Sequence, residues 1–218
     1  MIGSEIITLY QELVGDTLDG TTEYILLNQA KDAIEDDRNW AYLRGIDSTQ
    51  SVSSGDTYAT LKTLPTDFGS PLDSGIYIGD DTLPYTAIPF EQQIMWKSIS
   101  HRYYIDMANN SYGIFGTPIA GPIHFFYQKT TPTLTATNSP SFPSRFHPIL
   151  AYKMAQMFFT VDQGEKSRSW DDRWTVFYND LLGAMIRWDA KIQTAAYQNS
   201  SSDIIDFSKH PDIVSGML

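Results

Sequence analysis

The chain has 218 residues, of which 42% are hydrophobic and 19% are charged, a composition typical of a globular protein with one good core or two small domains. It contains no cysteine, which removes disulfides, thiolate metal sites and cysteine nucleophiles from consideration. The net charge of -11 disfavours a protein that grips DNA, because such binding requires clustered cations. We expect a soluble protein without an export signal, since there is no run of eighteen apolar residues and no basic start followed by an apolar stretch.

Two short helices are predicted at the N-terminus. The first opens at Ser4 and ends at Gly15, and Asp19 supplies the cap of the second. Apolar residues of the second helix recur at helical spacing at Tyr24, Leu27, Ala30 and Ile34. The pattern ends near Asp36, and Gly45 is expected to stop the chain's helical part.

From residue 46 to 144 the sequence changes to short β-like runs broken by Gly, Pro, Asp and Ser. The strongest β-forming run is His124 to Tyr127. The candidate strands are Ser48 to Val52, Tyr58 to Thr63, Ile76 to Ile78, Tyr85 to Ile88, Tyr103 to Ile105, Tyr112 to Phe115 and Ile123 to Lys129. A hairpin turn is predicted at 79–82, and Asp80 and Asp81 at its tip are candidates for contact with a partner. Residues 90–98 resemble one short helix.

Residues 145–198 predict a long helical hairpin. Its first helix runs from Phe146 to Val161 with Pro148 in the first turn, where a missing N–H costs nothing. The second helix carries an apolar stripe at steps of three and four: Trp170, Trp174, Phe177, Leu181, Trp188 and Ile192. Some 30 helical residues would span about 45 Å, so we expect this stripe to serve the core and the packing between subunits.

After Gln198, the stretch Asn199 to Ser202 is predicted to break the helix and to begin an extended tail over 199–218. The tail carries the apolar residues Ile204, Ile205, Phe207, Ile213, Val214, Met217 and Leu218, which are too few to form a core and are therefore predicted to dock on a partner. The fold class is thus α+β. A helical bundle of residues 1–45 and 145–198 bears an inserted β-rich domain of residues 46–144.

Known catalytic patterns do not appear in the sequence. The histidines at 101, 124, 147 and 210 have no metal spacing, and neither a nucleophile elbow, a phosphate-binding glycine loop nor a dinucleotide fingerprint occurs. We therefore predict no catalytic residues, no metal and no cofactor. The enzyme alternative is a hydrolase that uses an undetected pair of carboxylates.

Four short stretches, taken in order, resemble one protein family, the head-to-tail adaptor or connector proteins of tailed bacteriophages. They are Leu27-Asn28-Gln29-Ala30, Arg38-Asn39-Trp40, Leu64-Pro65-Thr66-Asp67-Phe68 and Phe146-His147-Pro148-Ile149-Leu150. The resemblance covers roughly Ile6 to Tyr197. The chain departs from the family in lacking a basic C-terminal tail.

The resemblance implies a structural virion protein and not an enzyme. Such proteins form a ring under the portal, commonly with twelve copies, extend the DNA channel and provide the platform for the tail or nozzle. The expected partners are other copies of the chain, the portal, tail proteins and genomic DNA that passes without tight binding, with no membrane. The resemblance implies the portal as the partner of the apolar C-terminal segment, with an adjacent copy of the chain as the alternative. It also implies that Asp80 and Asp81 at the predicted turn could contact the phage tail. The expected location is the neck of the virion, after synthesis in the bacterial cytoplasm. A tail-terminator or tail-tube ring protein remains the alternative within the structural class.

Overall fold

The computed structural model describes residues 1–96, 99–116, 120–161 and 165–204, and its fold mixes helices and strands, as predicted. Contacts divide the chain into two compact units, a helical unit of residues 1–42 and 133–218 and a β unit of residues 43–132. The division places residues 133–144 with the helices, whereas the sequence analysis had placed them in the β-rich insertion. The reason is local: Leu134 and Phe142 are buried, and Gly3 donates its N–H to the Asn138 carbonyl over 3.0 Å.

The two N-terminal helices form where the capping residues predict them. Helix α1 spans Gly3–Val14 and ends at Gly15, whose φ of 70° is in the left-handed region that glycine adopts without strain. Helix α2 spans Gly20–Glu35, and the Asp19 side chain accepts the N–H groups of Thr21 and Thr22. The buried apolar residues of these helices are Ile6, Ile7 and Tyr10 in α1 and Leu27, Ala30 and Ile34 in α2.

Helices α4, Pro148–Val161, and α5, Glu165–Ile204, pack on each other, after a single 3-10 turn at Ser144–Phe146. Gln156 donates a hydrogen bond to the Thr175 hydroxyl over 3.0 Å, and the Tyr152 ring stacks on Trp174 at 5.9 Å. The turn predicted to join these helices, residues 162–164, lies outside the described residues. The helical hairpin therefore stays a prediction.

The end of α5 differs from the prediction. The helix continues to Ile204 through the stretch Asn199 to Ser202, which was expected to end it. Serine and asparagine form helices only weakly, but they do not end a helix by themselves. Proline and glycine disrupt a helix more strongly, and neither occurs in this stretch. At 40 residues, α5 is about 60 Å long. Among the described helices, none is both long enough and apolar enough to cross a membrane.

A buried carboxylate ties α5 to the end of the first helical pair. Asp189 is fully buried. One of its oxygens accepts the Ala41 N–H over 2.7 Å, and the other accepts the Gln193 side-chain amide over 2.6 Å. Charged hydrogen bonds of this kind contribute about 1.5–3 kcal/mol each. No pattern in the sequence identified this residue, since a single aspartate in a helix usually faces solvent.

The β unit contains two four-stranded sheets. The first places β8, Gly121–Lys129, antiparallel to β1, Arg44–Asp47, to β2, Ser51–Val52, and to β4, Phe68–Ile78. The second has the order β3-β7-β6-β5, where the strands are Lys62–Thr63, Ser111–Ile114, Arg102–Asp106 and Thr86–Ile88. Helix α3, Gln93–Trp96, follows a 3-10 turn at Phe90–Gln92, and Met107–Asn109 and Ala41–Leu43 form further single 3-10 turns.

The most strongly β-forming run in the sequence is the strand on which the first sheet is built. Along β8 the side chains of Ile123, Phe125 and Tyr127 alternate into the core. Phe125 contacts the rings of Tyr103 and Tyr112 at 5.8 and 5.1 Å. Burial raises the pKa of both tyrosines far above their usual value.

One strand, β1, was missed and another, β4, was predicted too short, because glycine and proline in them were interpreted as loop signals. Strand β4 begins at Phe68 and not at Ile76, and its register shifts between Pro71 and Ile76. Gly75 has φ of 59°, and an added Cβ there would lie 2.2 Å from the Tyr85 carbonyl oxygen. Gly45, predicted as a stop, lies within β1, where its missing side chain leaves room for the Tyr127 ring. Both glycines permit a close backbone approach that local patterns do not reveal.

Candidate assembly surfaces

Three of the four stretches that carry the family resemblance lie in the helical unit, where they form part of its framework. Leu27 and Ala30 are buried. Asn28, which lies between them, makes two hydrogen bonds to Leu134, a residue that follows the β unit in the chain. Its amide donates to the Leu134 carbonyl over 3.1 Å, and its oxygen accepts the Leu134 N–H over 2.7 Å. Trp40 is fully buried and donates to the Ile34 carbonyl over 2.7 Å. These residues therefore have a structural role in the helical unit.

The Leu64 to Phe68 stretch has the same structural role in the β unit. Leu64 is buried, and the Asp67 carboxylate accepts the Tyr127 hydroxyl over 2.7 Å. The Asp67 carbonyl also accepts the Thr130 N–H over 2.8 Å. Burial is the largest cause that raises the pKa of Tyr127, and its bond to Asp67 adds to it. The aspartate of this motif is therefore structural.

His147 at the start of α4 is a buried structural histidine. Its Nε2 lies 2.8 Å from the Phe142 carbonyl oxygen, and its Nδ1 lies 2.9 Å from the Met1 amine. Burial lowers the pKa of His147 below 6.5, and the positive amine acts in the same direction. The Phe142 and Met1 carbonyls and the Glu5 carboxylate oppose that shift. The neutral imidazole, with Nε2 as the donor to Phe142, is the form that this site holds.

We expect this histidine to make stability depend on pH. As the pH falls below about 6.5, His147 takes up a proton in the unfolded chain but not in the folded one, so the free energy of unfolding decreases until the folded pKa is reached. A His147→Gln variant should show a flatter dependence between pH 7.5 and 5.5 in urea titrations. His124→Gln, at a histidine whose Nδ1 lies 2.8 Å from the Ser48 hydroxyl, is the matched control for the loss of one histidine. Equal slopes for His147→Gln and wild type would contradict the assignment.

The other described histidines are paired locally and do not converge. His101 Nε2 lies 2.9 Å from an Asp81 oxygen, and His124 Nδ1 lies 2.8 Å from the Ser48 hydroxyl. In the described part of the chain no three histidines or carboxylates gather into a group suited to a metal ion.

Of the two carboxylates at the predicted turn, Asp81 is hydrogen-bonded within the chain and Asp80 is exposed. Asp81 accepts the Leu83 N–H over 3.1 Å in addition to its contact with His101. The Leu83 bond is the largest cause that lowers the Asp81 pKa, and the His101 bond also lowers it. Asp80 is exposed. Asp80 is thus the more exposed of the two carboxylates, and a contact of either one with a partner stays a prediction.

The apolar stripe of α5 is divided between the core and the surface. Trp174 is 5% exposed, Leu181 and Trp188 are half-buried, and Phe177 and Ile192 are 41% and 39% exposed. Phe177 and Ile192 are therefore not part of the core of a single chain, and their predicted packing between subunits stays a prediction. The buried face of α5 contains Trp174, Tyr178, Met185 and Asp189. Successive residues of a helix are rotated by roughly 100° about its axis, so this face is rotated relative to the predicted stripe. The side chain of Trp170 lies outside the described part.

A second exposed apolar surface lies on the β unit, and we call the residues Phe90, Ile94 and Met95 the apolar knob. Ile94 and Met95 are 73% and 81% exposed. The knob is held from behind, because the Phe90 ring lies 5.8 Å from Tyr104 and Trp96 donates to the Gln92 side chain over 3.1 Å. The Arg102 guanidinium lies 5.9 Å from the Trp96 ring. Ile94 and Met95 thus point outward from an anchored turn.

A third surface is a groove of about 640 Å³ in the helical unit. One wall is the exposed side of α2, formed by Thr21, Tyr24, Ile25, Asn28, Gln29 and Asp32, and the other is residues 133–136. We call it the α2 groove. The two Asn28–Leu134 hydrogen bonds hold its walls together, and Ile25 is 55% exposed at its side. The helical spacing of apolar residues indicated only the buried stripe of α2. Ile25 lies outside that stripe, so the sequence did not indicate the groove.

The tail residues singled out in the sequence mostly lie outside the described part. Ile204 is the last residue of α5. Ile205, Phe207, Ile213, Val214, Met217 and Leu218 are not described.

A family model described as SU10 adaptor protein matches residues 1–202. No curated protein matches the chain.

Proposed function

The chain belongs to the SU10 adaptor protein family, and from this premise we propose that it forms a ring beneath the portal of a tailed bacteriophage. In that position it extends the DNA channel and provides the platform on which the tail attaches. As a phage adaptor it is a structural component of the virion, located by this proposal in the neck. The match over residues 1–202 is the observation that carries the proposal.

The exposed face of α5 supports lateral packing in such a ring. Val176, Phe177 and Ile192 are exposed on a helix about 60 Å long, which is longer than the core of one helical unit requires. We propose that α4 and α5 form the predicted hairpin and that this face meets the neighbouring subunit. The family resemblance suggests twelve copies and a bundle of helices that bears the β unit as an inserted domain.

The charge of the chain supports a channel through which DNA moves. With a net charge of -11, a ring of many copies repels the phosphates and does not retain them. The first 45 residues contain nine acidic and three basic residues. We propose that carboxylates of α1, α2 or the β unit face the lumen, while exposed Asp80 contacts the tail.

The tail end of the chain is the proposed anchor to the portal. Seven apolar residues lie within Ile204 to Leu218, alongside three acidic or basic ones at Asp206, Lys209 and Asp212. Such a composition is richer in apolar anchors than a merely solvated tail.

The assembly proposal is tested by native mass measurement of the purified chain, alone and with purified portal rings. We expect one discrete complex in which a fixed number of copies joins each portal, and no submicromolar binding of free linear duplex at physiological salt. A chain that stays monomeric with portal but caps purified tail tubes would instead indicate the tail-terminator alternative. Salt-sensitive, submicromolar duplex binding would contradict the channel role.

A further inference from the structure

We propose that a basic face of one copy, formed by Arg145, Arg187 and Lys191, binds the acidic end of α2, formed by Asp36 and Asp37, in the adjacent copy of the ring, an inference that rests on the proposed function. All five residues are exposed, and all belong to the helical unit. A ring is built from heterologous contacts, in which each subunit presents two unlike surfaces that complement each other. Opposite charge makes these two surfaces complementary.

The basic face surrounds an aromatic pair where α5 passes the start of α4. The Phe146 and Trp188 rings lie 5.7 Å apart, and the Arg145 guanidinium lies 4.7 Å from the first ring and 6.0 Å from the second. Arg187 and Lys191 are four residues apart on α5 and therefore share one side of the helix. Three cations thus gather at one place in a chain whose net charge is -11.

These cations are not neutralised within the described part of the chain. Asp189 is the one acidic residue from Leu181 to Thr194, and it is fully buried with hydrogen bonds to Ala41 and Gln193. No ion pair among the described residues includes a cation of the basic face. The face is therefore a positive surface available to a partner.

Negative charge accumulates at the end of α2. Residues 32–37 contain four acidic residues and no basic one, and Lys31 before them is only 5% exposed. Arg38 contacts Asp37 over 3.6 Å, whereas Asp36 forms no ion pair in the described part of the chain. The helix dipole adds partial negative charge at this end, and the last turn of α2 has no basic residue to offset it. A cation from a neighbouring subunit is favoured at this position.

The two surfaces lie at the same level along α5 but on opposite sides of it. Asp189 accepts the Ala41 N–H over 2.7 Å, which holds the segment after α2 against the inner side of α5. Arg187 and Lys191 are each two residues from Asp189, so they are rotated from it by about 200° around the helix axis. One subunit therefore presents the basic face outward and the acidic end on the other side, and it does not pair the two with each other.

The size and setting of the basic face select a second copy over DNA. Duplex binding needs many clustered cations, whereas this face has three in an acidic chain. Arginine and tryptophan are enriched at protein interfaces, and Arg145 is stacked against Trp188. The face also continues into the α5 surface proposed to pack on a neighbour, since Ile192 follows Lys191 and is 39% exposed.

The experiment exchanges charge between two chains, one with Arg187→Glu/Lys191→Glu and the other with Asp36→Lys/Asp37→Lys. Affinity between copies is measured by sedimentation of the chain alone and by native mass measurement of portal complexes. Each variant by itself should lose at least about tenfold in this affinity, because like charges meet at every contact. An equimolar mixture should recover to within about threefold of wild type, because opposite charges meet again in an alternating ring.

The matched control is Glu12→Lys/Asp16→Lys, which makes the same charge change at two exposed residues at the end of α1. It should assemble like wild type and should not rescue the Arg187→Glu/Lys191→Glu chain. The isolated variants should keep the wild-type melting temperature, since the substituted residues are exposed. If a reversed chain melts lower, Arg187→Gln/Lys191→Gln replaces it, and its assembly should depend less on salt than that of wild type.

Three outcomes would overturn the contact. Normal assembly of both reversed variants would remove it, while wild-type rings on portal would leave the proposed function standing. Loss in both variants without recovery in the mixture would place the two surfaces in different contacts. Submicromolar duplex binding that Arg187→Glu/Lys191→Glu abolishes would assign the basic face to DNA. By contrast, copies that recover by charge exchange but never join portal would support the contact and contradict the portal-bound function.

Discussion

Trp174→Ala is expected to lower the free energy of unfolding by about 3–5 kcal/mol, the usual range for truncating a buried large aromatic. Trp174 is 5% exposed, stacks on Tyr152 at 5.9 Å and meets Phe177 at 6.1 Å. The cavity left behind would remove contacts that hold α5 on α4. For a chain of this size each kcal/mol shifts the melting temperature by about 2–4 °C, so the transition should move down by roughly 6–20 °C.

The control for this variant lies on the same helix. Val176 is 58% exposed, and Val176→Ala should change stability by less than about 0.5 kcal/mol. Both variants are measured by thermal and urea unfolding of the isolated subunit. An unchanged melting curve for Trp174→Ala would mean that this face is free in the subunit and becomes covered only on assembly.

Removing Ile205 to Leu218 is expected to weaken attachment to the portal by roughly 100-fold or more while it leaves the melting temperature nearly intact. Fully buried apolar side chains contribute about 1.5–3 kcal/mol each, and ordering the backbone costs about 1–2 kcal/mol per residue. A net gain therefore requires that nearly all six side chains be buried while only part of the tail backbone becomes ordered. The cut is placed after Ile204 because α5 runs to that residue.

Two full-length variants separate the apolar anchors from the length of the tail. In one, the six apolar residues Ile205, Phe207, Ile213, Val214, Met217 and Leu218 become serine, and this chain should behave like the truncated one. In the other, Asp206, Lys209 and Asp212 become serine, and portal affinity should stay within about threefold of wild type, since the proposal assigns the contact to the apolar side chains. Affinity is measured against immobilised portal rings, and in phage the weak variants should yield DNA-filled heads that lose their tails. A truncated chain that binds portal like wild type, or one that does not fold, would remove the tail from this role.

The remaining exposed apolar surfaces divide the proposed assembly into separate contacts. In the proposed assembly the α5 face packs on a neighbouring subunit and the tail anchors to the portal, while the occupants of the knob and of the α2 groove stay unassigned. Because these surfaces share no residue, variants of each should combine additively unless two of them lie in one contact. Combining Phe177→Asp with Met95→Asp would show whether the α5 face and the knob belong to one interface.

Sequence patterns determined those features that depend on neighbouring residues. The caps at Asp19 and Gly15, the start of α4 at Pro148 and the β character of Ile123 to Lys129 are local properties of the chain. The order of the four motif stretches also indicated the family, which the match over residues 1–202 confirms. In each case the physical cause acts within about one turn or one strand, so the sequence alone contains it.

Tertiary structure decided what depends on residues far apart in the chain. Gly45 and Gly75 became strand residues because a ring and a carbonyl from other strands approach them closely. The contacts of α5 with α4 and of Asp189 with Ala41 set which face of α5 is buried, and so exposed Phe177 and Ile192. The α2 groove exists because Asn28 bonds to Leu134, 106 residues away. Such long-range contacts select one arrangement among several that the local periodicity allows equally, and only the folded chain specifies it.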